Sequence, residues 1–406
     1  MRVLLIDVNC KNSSTGRIVY DLYTSLRASG EEAAVCYGRG ENICEPNIFK
    51  FGLDWETKLH GLLTRLTGYT GCFSFFSTRR LLRFIKDFRP DVVHIHELHA
   101  YFVNIKPLLT YLKKQGIPTV CTLHCEFMYT GKCGHAMECE QWKTQCEKCP
   151  RLQVYPKTLF FDRTKHMFLQ KKALYEGYTN MTITAPSSWL MERAKQSVLA
   201  DKPSLVIPNG IDTEVFCPRE SAALRTELGI HPEEKVVLAL APHVMNLAKG
   251  GPHVLELAKN LAAENIRFVM VGADDPEISV PDNVILKGAI YDKDLLAQYY
   301  SLADAFVICS TRENFPTTCL EAQCCGTPVY GYDTGGTRET LVEEGDTLVP
   351  YGDIQGLAQK LLTAPIKTEE RAEALRDLAE GIYGKRRMFA GYRALYAQGI
   401  AQASEK

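Results

Sequence analysis

Short runs of aliphatic and β-branched residues alternate with helix-period segments along this chain, and the alternation starts twice. In the first half Val3–Ile6, Ala33–Tyr37, Asp91–Ile95, Thr119–Thr122, Thr182–Ala185 and Leu205–Pro208 read as strands. Between them lie helical patterns at Ile18–Ala28, Leu81–Phe88, Ile105–Lys114, Lys165–Glu176 and from Ser187. The pattern restarts at Val236–Ala241 and continues through Ile266–Val271, Val284–Lys287, Ala305–Cys309 and Pro328–Tyr332. The intervening helices are Pro252–Ala263, Leu295–Leu302 and Cys319–Cys325. Strands separated by helices require right-handed crossovers and a parallel sheet, so the expected fold class is α/β with two Rossmann-like, doubly wound domains.

A length of 406 residues suits two such domains. The expected division is an N-terminal domain over 1–205, a second domain over 206–386, and a closing helix over 387–406 packed back on the first. Net charge is −1, so nothing points to a nucleic-acid partner. No apolar run approaches the roughly 20 residues of a membrane helix. The N-terminus, Met-Arg-Val-Leu-Leu-Ile-Asp, reads as a first strand without a cleaved signal peptide, which predicts a cytoplasmic protein.

Within the second half, Glu313 and Glu321 are separated by seven residues in Arg312-Glu-Asn-Phe-Pro-Thr-Thr-Cys-Leu-Glu321. The segment runs from a strand through a loop into a helix, and a helix opening presents backbone N–H groups to an anion. Carboxylates on either side of that loop can grip sugar hydroxyls. The plainer alternative makes Glu321 a first-turn acid complementing the helix dipole and Glu313 a solvated loop residue. Two further loops, Lys249-Gly250-Gly251 and Thr334-Gly335-Gly336, follow neighbouring strands and would open at the same sheet edge, where doubly wound folds bind ligands.

These residues resemble a known family. Glu313 and Glu321 match the E-x7-E motif of GT-B glycosyltransferases of family 4 (group 1), and the likeness spans essentially the whole chain. Within that family it is similar to a bacterial exopolysaccharide, colanic-acid-type subgroup. Four stretches carry the closer match: Ser14–Tyr20, Asp91–His96 continuing to Asn104, Thr122–His124 and Pro186–Leu190. The resemblance implies two domains facing a central cleft and transfer of a sugar from a nucleotide-sugar donor, with retention of configuration. The implied acceptor is a saccharide or a polyprenyl-linked saccharide in surface polysaccharide synthesis. Glu321 would bind the ribose, Glu313 the donor sugar, and Phe315, Pro316, Thr317 and Thr318 the diphosphate or sugar. Lys249 would neutralise the leaving phosphates. Gly16 and Arg17 would approach them from the N-terminal domain, and His124 would sit beside the transferring sugar as a positioning group.

No catalytic metal is expected, since fixed N–H dipoles and a Lys can stabilise the departing diphosphate. Asp292-Lys-Asp294 is better read as a helix N-cap than as a metal motif. One departure from the family pattern stands out: Leu240–Lys249 contains no Arg, leaving His243, Arg17 or Arg312 to supply that charge. Two rival readings stay open, a catalytically weak relative that binds a partner or a sugar, and a nucleotide-sugar epimerase. A dinucleotide-dependent dehydrogenase is disfavoured because no Gly-x-Gly-x-x-Gly follows the first strand.

Fifteen cysteines in a long chain without a secretion signal read mostly as small buried hydrophobes. Cys133, Cys139, Cys146 and Cys149 form a separate cluster in a Cys-rich insert over about 125–150. Cys146-x2-Cys149 has the spacing of a chelating zinc half-site, so a structural zinc is expected. His135 and Cys125 are reserve ligands. Reduced thiols packed round Trp142, or a redox-labile disulfide pair, are the alternatives. Finally, Thr64–Phe88 mixes Leu and Phe with Arg and Lys. It reads either as a basic amphipathic helix lying on the inner face of the plasma membrane or as an ordinary surface helix. His94, His96, His99 and Asn104 form a polar patch after a strand and are not taken as metal ligands.

Overall fold

A computed structural model of the chain describes residues 1–275, 278–343 and 346–404. Positions 405–406 of the expected closing segment lie outside the described residues. The chain divides into two units, Met1–Pro208 with Phe389–Lys406, and Asn209–Met388.

The first unit holds strands β1 (Arg2–Asp7), β2 (Glu32–Tyr37), β3 (Ile48–Lys50), β4 (Val92–Ile95), β5 (Thr119–Thr122), β6 (Met181–Ala185) and β7 (Ser204–Val206). They form one parallel sheet in the order β3-β2-β1-β4-β5-β6-β7. Its helices are α1 (Ser14–Ala28), α2 (Asp54–Thr67), α3 (Phe75–Phe88), α4 (Ile105–Lys114), α5 (Thr164–Tyr175) and α6 (Ser188–Ala194). Helices cover both faces of the sheet, so the central strands are continuous apolar runs rather than alternating ones. In β1, Val3 to Ile6 are all fully buried.

The second unit opens with α7 (Ala222–Glu227) and contains β8 (Lys235–Leu240), α8 (Gly251–Asn260), β9 (Ile266–Val271), β10 (Val284–Lys287) and α9 (Lys293–Leu302). It continues with β11 (Ala305–Ile308), α10 (Thr317–Cys324), β12 (Val329–Tyr332), β13 (Leu348–Val349), α11 (Ile354–Thr363) and α12 (Glu369–Tyr383). The sheet is parallel in the order β10-β9-β8-β11-β12-β13. Successive residues of β8 serve opposite faces: Val236 and Leu238 enter one apolar cluster, Val237 and Ala239 the other. Truncating Leu238 to Ala would cost about 2–5 kcal/mol. A last helix, α13 (Lys385–Ser404), starts in the second unit, and from Phe389 its residues belong to the first.

The doubly wound class is borne out, with three local differences. α1 begins at Ser14 rather than Ile18, because the Ser13 side chain caps it by accepting the Gly16 N–H at 2.9 Å. Thr64–Phe88 is not one helix: α2 ends at the left-handed Gly68 and α3 starts only at Phe75. Asp292 is an N-cap, its carboxylate accepting from the Asp294 and Leu295 N–H groups, as its position before a helix implies.

Candidate functional site

In the second unit the strand order reverses between β8 and β11, so the loops after these strands diverge and leave a crevice at the sheet edge. The first loop carries Lys249 and the second Glu313. They meet as an ion pair, Lys249 Nζ lying 2.8 Å from Glu313 Oε1. The loops are also tied through backbone, Thr311 N–H donating to the Ala248 carbonyl at 3.1 Å. Two glycines permit this packing. A Cβ on Gly250 (φ +79°) would lie 2.1 Å from the Cys309 carbonyl oxygen, and one on Gly335 (φ +62°) 1.9 Å from that of Glu313. Gly336 N–H then donates to the same Glu313 carbonyl at 3.0 Å. Three loops, after β8, β11 and β12, are thereby locked around Glu313.

Phe315 and Pro316 lead directly into α10, with Pro316 as its N-cap residue and Thr317 and Thr318 as its first two residues. The opening N–H groups of that helix carry its positive dipole end, the third of them, Cys319, donating to the Pro316 carbonyl at 3.1 Å. Glu321 lies one turn further on and is buried, one carboxylate oxygen accepting the Tyr300 hydroxyl at 2.8 Å. Burial and the adjacent Glu321 push the Tyr300 phenol well above its ordinary range. Glu321 therefore lies beyond the first turn of α10 and is not a first-turn acid. Tyr300, which holds it, was invisible in the sequence among nineteen tyrosines. His243 is exposed and paired with Asp274.

The first unit presents a second polar edge, after β1, β4 and β5. His94 is held from both sides, Nδ1 2.6 Å from the Tyr396 hydroxyl of α13 and Nε2 2.6 Å from Thr122. His124 Nε2 lies 3.1 Å from His96 Nδ1, and the two rings stack. Burial drops the His124 pKa to about 4, so the ring is neutral at pH 7. Asp7 closes β1, fully buried, and burial with the nearby Glu97 charge raises it to about 8. Asp7 Oδ1, His96 Nε2 and His99 Nδ1 are buried without a hydrogen-bond partner. Asn104 instead has a structural task, its side-chain amide donating to the Cys72 carbonyl at 2.6 Å.

Glu97, missed from the sequence, accepts from His99 Nε2 at 3.0 Å and from the Cys125 thiol at 3.5 Å. Burial opposes charge on both Glu97 and His99, but their attraction prevails, lowering Glu97 and raising His99. Among the described residues these three form the group whose potential metal-ligand atoms all lie within 4.8 Å of one another. Their mutual hydrogen bonds account for that closeness without an ion. At Gly16 a Cβ would lie 2.9 Å from Ser13 Oγ and 3.2 Å from the Asn9 backbone. Arg17 follows it in the first turn of α1.

Cys133, Cys139, Cys146 and Cys149 line one small cavity together with Trp142 and Lys132. A hydrogen bond shared with Cys133 lowers the Cys149 thiol below its ordinary range, against the opposing effect of burial. Cys146 Sγ accepts the Gly131 N–H at 3.2 Å. Among the described residues, the four cysteines are not in the group whose potential metal-ligand atoms all lie within 4.8 Å of one another. The insert is pinned to the unit by protein contacts. Buried Lys132 donates to the carbonyls of Arg151, Leu152 and Val154, and Glu126 accepts from Arg193 at 2.7 Å.

The family model for glycosyltransferase family 4 matches residues 15–215, and that for glycosyl transferases group 1 matches 221–380. WcaC of Escherichia coli K12, assigned as a colanic acid biosynthesis glycosyl transferase, is 26% identical over 88% of this chain and 90% of its own. The N-acetyl-alpha-D-glucosaminyl L-malate synthase of Bacillus anthracis is 28% identical over 50% of this chain and 54% of its own. Among solved structures, sucrose-phosphate synthase from Thermosynechococcus elongatus superposes with a TM-score of 0.69 at 18% identity, covering 99% of both chains. HepE of Anabaena, solved in complex with UDP-glucose, gives 0.64 at 16% identity over 100% of this chain and 99% of that one. At these identities the structural likeness shows the fold.

Proposed function

This chain belongs to the family 4, group 1 glycosyltransferases and is a glycosyltransferase, and on that premise we propose how its residues divide the work. The donor is a nucleoside-diphosphate sugar held by the loops of the second unit. Glu321, fixed by Tyr300, grips ribose hydroxyls. The opening of α10, at Phe315–Thr318, receives the diphosphate. Glu313 faces hydroxyls of the donor sugar, and Lys249 moves from Glu313 to the phosphate oxygens as the donor arrives. The observation that carries this reading is the Lys249–Glu313 pair at the point where the strand order reverses.

As the glycosidic bond to the β-phosphate breaks, negative charge grows on the departing phosphate oxygen. Lys249 and the helix N–H groups stabilise that charge. The acceptor hydroxyl bonds to the anomeric carbon, and its proton passes to the departing phosphate, with retention of configuration. Gly16 and Arg17, in the first turn of α1, belong to the proposal as anion-binding residues of the first unit. His124, neutral at working pH, positions the acceptor. That acceptor is proposed to be a saccharide, carried on a polyprenyl diphosphate, in surface polysaccharide synthesis.

The test is release of nucleoside diphosphate from a panel of UDP-, GDP-, ADP- and dTDP-sugars, with the anomer of the product read by NMR. Turnover of one nucleotide class, abolished in Glu313→Gln and Lys249→Ala, supports the reading. An isomerised sugar still attached to its nucleotide would make the protein an epimerase.

A structural zinc between the four cysteines is a further part of the proposal, supported by their shared cavity and by the Gly131 N–H on Cys146. Its binding would draw the sulfurs together and deprotonate them. Metal analysis of protein purified without chelator should find one zinc per chain, lost in Cys149→Ser. Metal-free protein of unchanged stability would contradict it.

A further inference from the structure

Helix α2 turns an apolar stripe outward. Trp55, Leu59, Leu62 and Leu66 recur at helical spacing and are all exposed, Trp55 by 54% and Leu62 by 51%. Its inward face is filled by Glu56, Thr57, His60 and Thr64 instead. Buried Glu56 accepts the N–H groups of Phe76 and Ser77, both at 2.8 Å, and so fixes the start of α3. That anchor holds Phe75 and Phe76 in water, Phe76 by 62%, with its ring 5.9 Å from that of Trp55. At the other end of α2, the Leu159 N–H donates to the Arg65 carbonyl at 2.8 Å. This seats Leu159, Phe160 and Phe161 beside Leu66, with Phe160 exposed by 70%. The result is one apolar surface built from three segments, tied by the Glu56 carboxylate and by the Leu159–Arg65 backbone hydrogen bond.

Its border is cationic. Lys58, Arg65, Arg79, Lys157 and Arg163 are exposed along the same segments. The two exposed carboxylates there are engaged, Asp54 by Lys50 at 2.9 Å and Asp162 by the N–H groups of Cys149 and Thr164. In a chain of net charge −1 this is a local concentration of positive charge. Contiguous exposed aromatic and leucine side chains of this extent mark an interaction surface. A second copy of the chain would set one basic border against another. An anionic lipid surface offers acyl chains to the apolar stripe and phosphate charge to its border.

We propose that this face of the first unit docks on an anionic bilayer. The apolar face of α3 is excluded from that role, since Leu81, Ile85 and Phe88 are turned into the core. The inference is independent of how the donor is held, and it would place the unit at the surface where a lipid-linked acceptor resides.

Flotation of the full-length protein with vesicles of phosphatidylcholine containing a third phosphatidylglycerol tests it. Wild type should float with these vesicles, bind pure phosphatidylcholine at least ten-fold less, and be released by high salt. Trp55→Ala/Leu62→Asp and Lys58→Glu/Arg65→Glu should each weaken binding at least ten-fold with an unchanged melting temperature. The exposure of all four side chains keeps folding out of the comparison. Absence of flotation, or undiminished binding by both double variants, overturns the proposal. So does a solution dimer that dissociates in Trp55→Ala/Leu62→Asp while vesicles go unbound, since the face then serves a second copy.

Discussion

Lys249 and Glu313, sixty-four residues apart in sequence, form an ion pair of 2.8 Å at the reversal point of the second sheet. Lys249 is more than a third exposed, so water screens the pair and its worth to stability is about 0–1 kcal/mol. Its value lies in placement, because a lysine held there is ready to transfer to a phosphate. Lys249→Ala should therefore leave the melting temperature nearly unchanged while lowering kcat/KM about 100-fold or more, as loss of a leaving-group stabiliser does. Steady-state kinetics beside thermal unfolding checks both halves.

Glu313→Gln separates two roles. It frees Lys249 from its carboxylate, so affinity for a bare nucleoside diphosphate should hold or rise. Sugar transfer should nevertheless fall, because the carboxylate facing the sugar is gone. Calorimetric titration with the diphosphate, set against turnover of the full donor, resolves the two.

The Tyr300 hydroxyl donates to a buried carboxylate, Glu321. Tyr300→Phe removes that donor and should cost about 1–3 kcal/mol in urea unfolding. It should also weaken nucleotide binding, since Glu321 loses the contact that orients it. An unchanged affinity would show that the hydroxyl only serves packing.

Asp7 gives a pH signature. Its folded pKa, about 8, lies above the ordinary value of 3.8, so the unfolded chain releases this proton first. The protonated form favours folding at low pH, and that contribution is lost progressively as pH rises from about 4 to 8. Asp7→Asn should thus gain stability relative to wild type across this window and hold a constant advantage above it. Urea unfolding at a series of pH values measures the difference; a difference independent of pH would contradict the raised pKa.

Gly335→Ala tests the loop lock. An L-residue in the left-handed region costs about 1–2 kcal/mol, before any clash with the Glu313 carbonyl. The variant should melt lower and lose transfer, by displacing Glu313 rather than by touching a ligand.

The central parallel strands were legible because, buried on both faces, they read as apolar runs. The short edge strands, Ile48–Lys50 and Leu348–Val349, were not, being three and two residues long. Helix α2 escaped notice because Trp55, Leu59, Leu62 and Leu66 put apolar residues on its solvent side, against the rule by which an amphipathic helix is recognised. In α12 the buried face is partly alanine, Ala372 and Ala379, which leaves little periodic contrast. The glutamates and Lys249 were readable as motif residues. Their pairing was not, because contact across three crossovers follows from strand order rather than spacing. Asp7 and Glu97 were missed for a similar reason: each sits at a strand end, where only the assembled sheet edge reveals a buried carboxylate.

The measurement that most directly tests the donor site is equilibrium binding of UDP-, GDP-, ADP- and dTDP-sugars to wild type and to Glu321→Gln, the variant first confirmed folded by circular dichroism. The account predicts saturable binding of one nucleotide class, weakened at least ten-fold in the variant. Binding that is equally tight in both proteins, or no binding of any of the four classes to folded wild type, would contradict it.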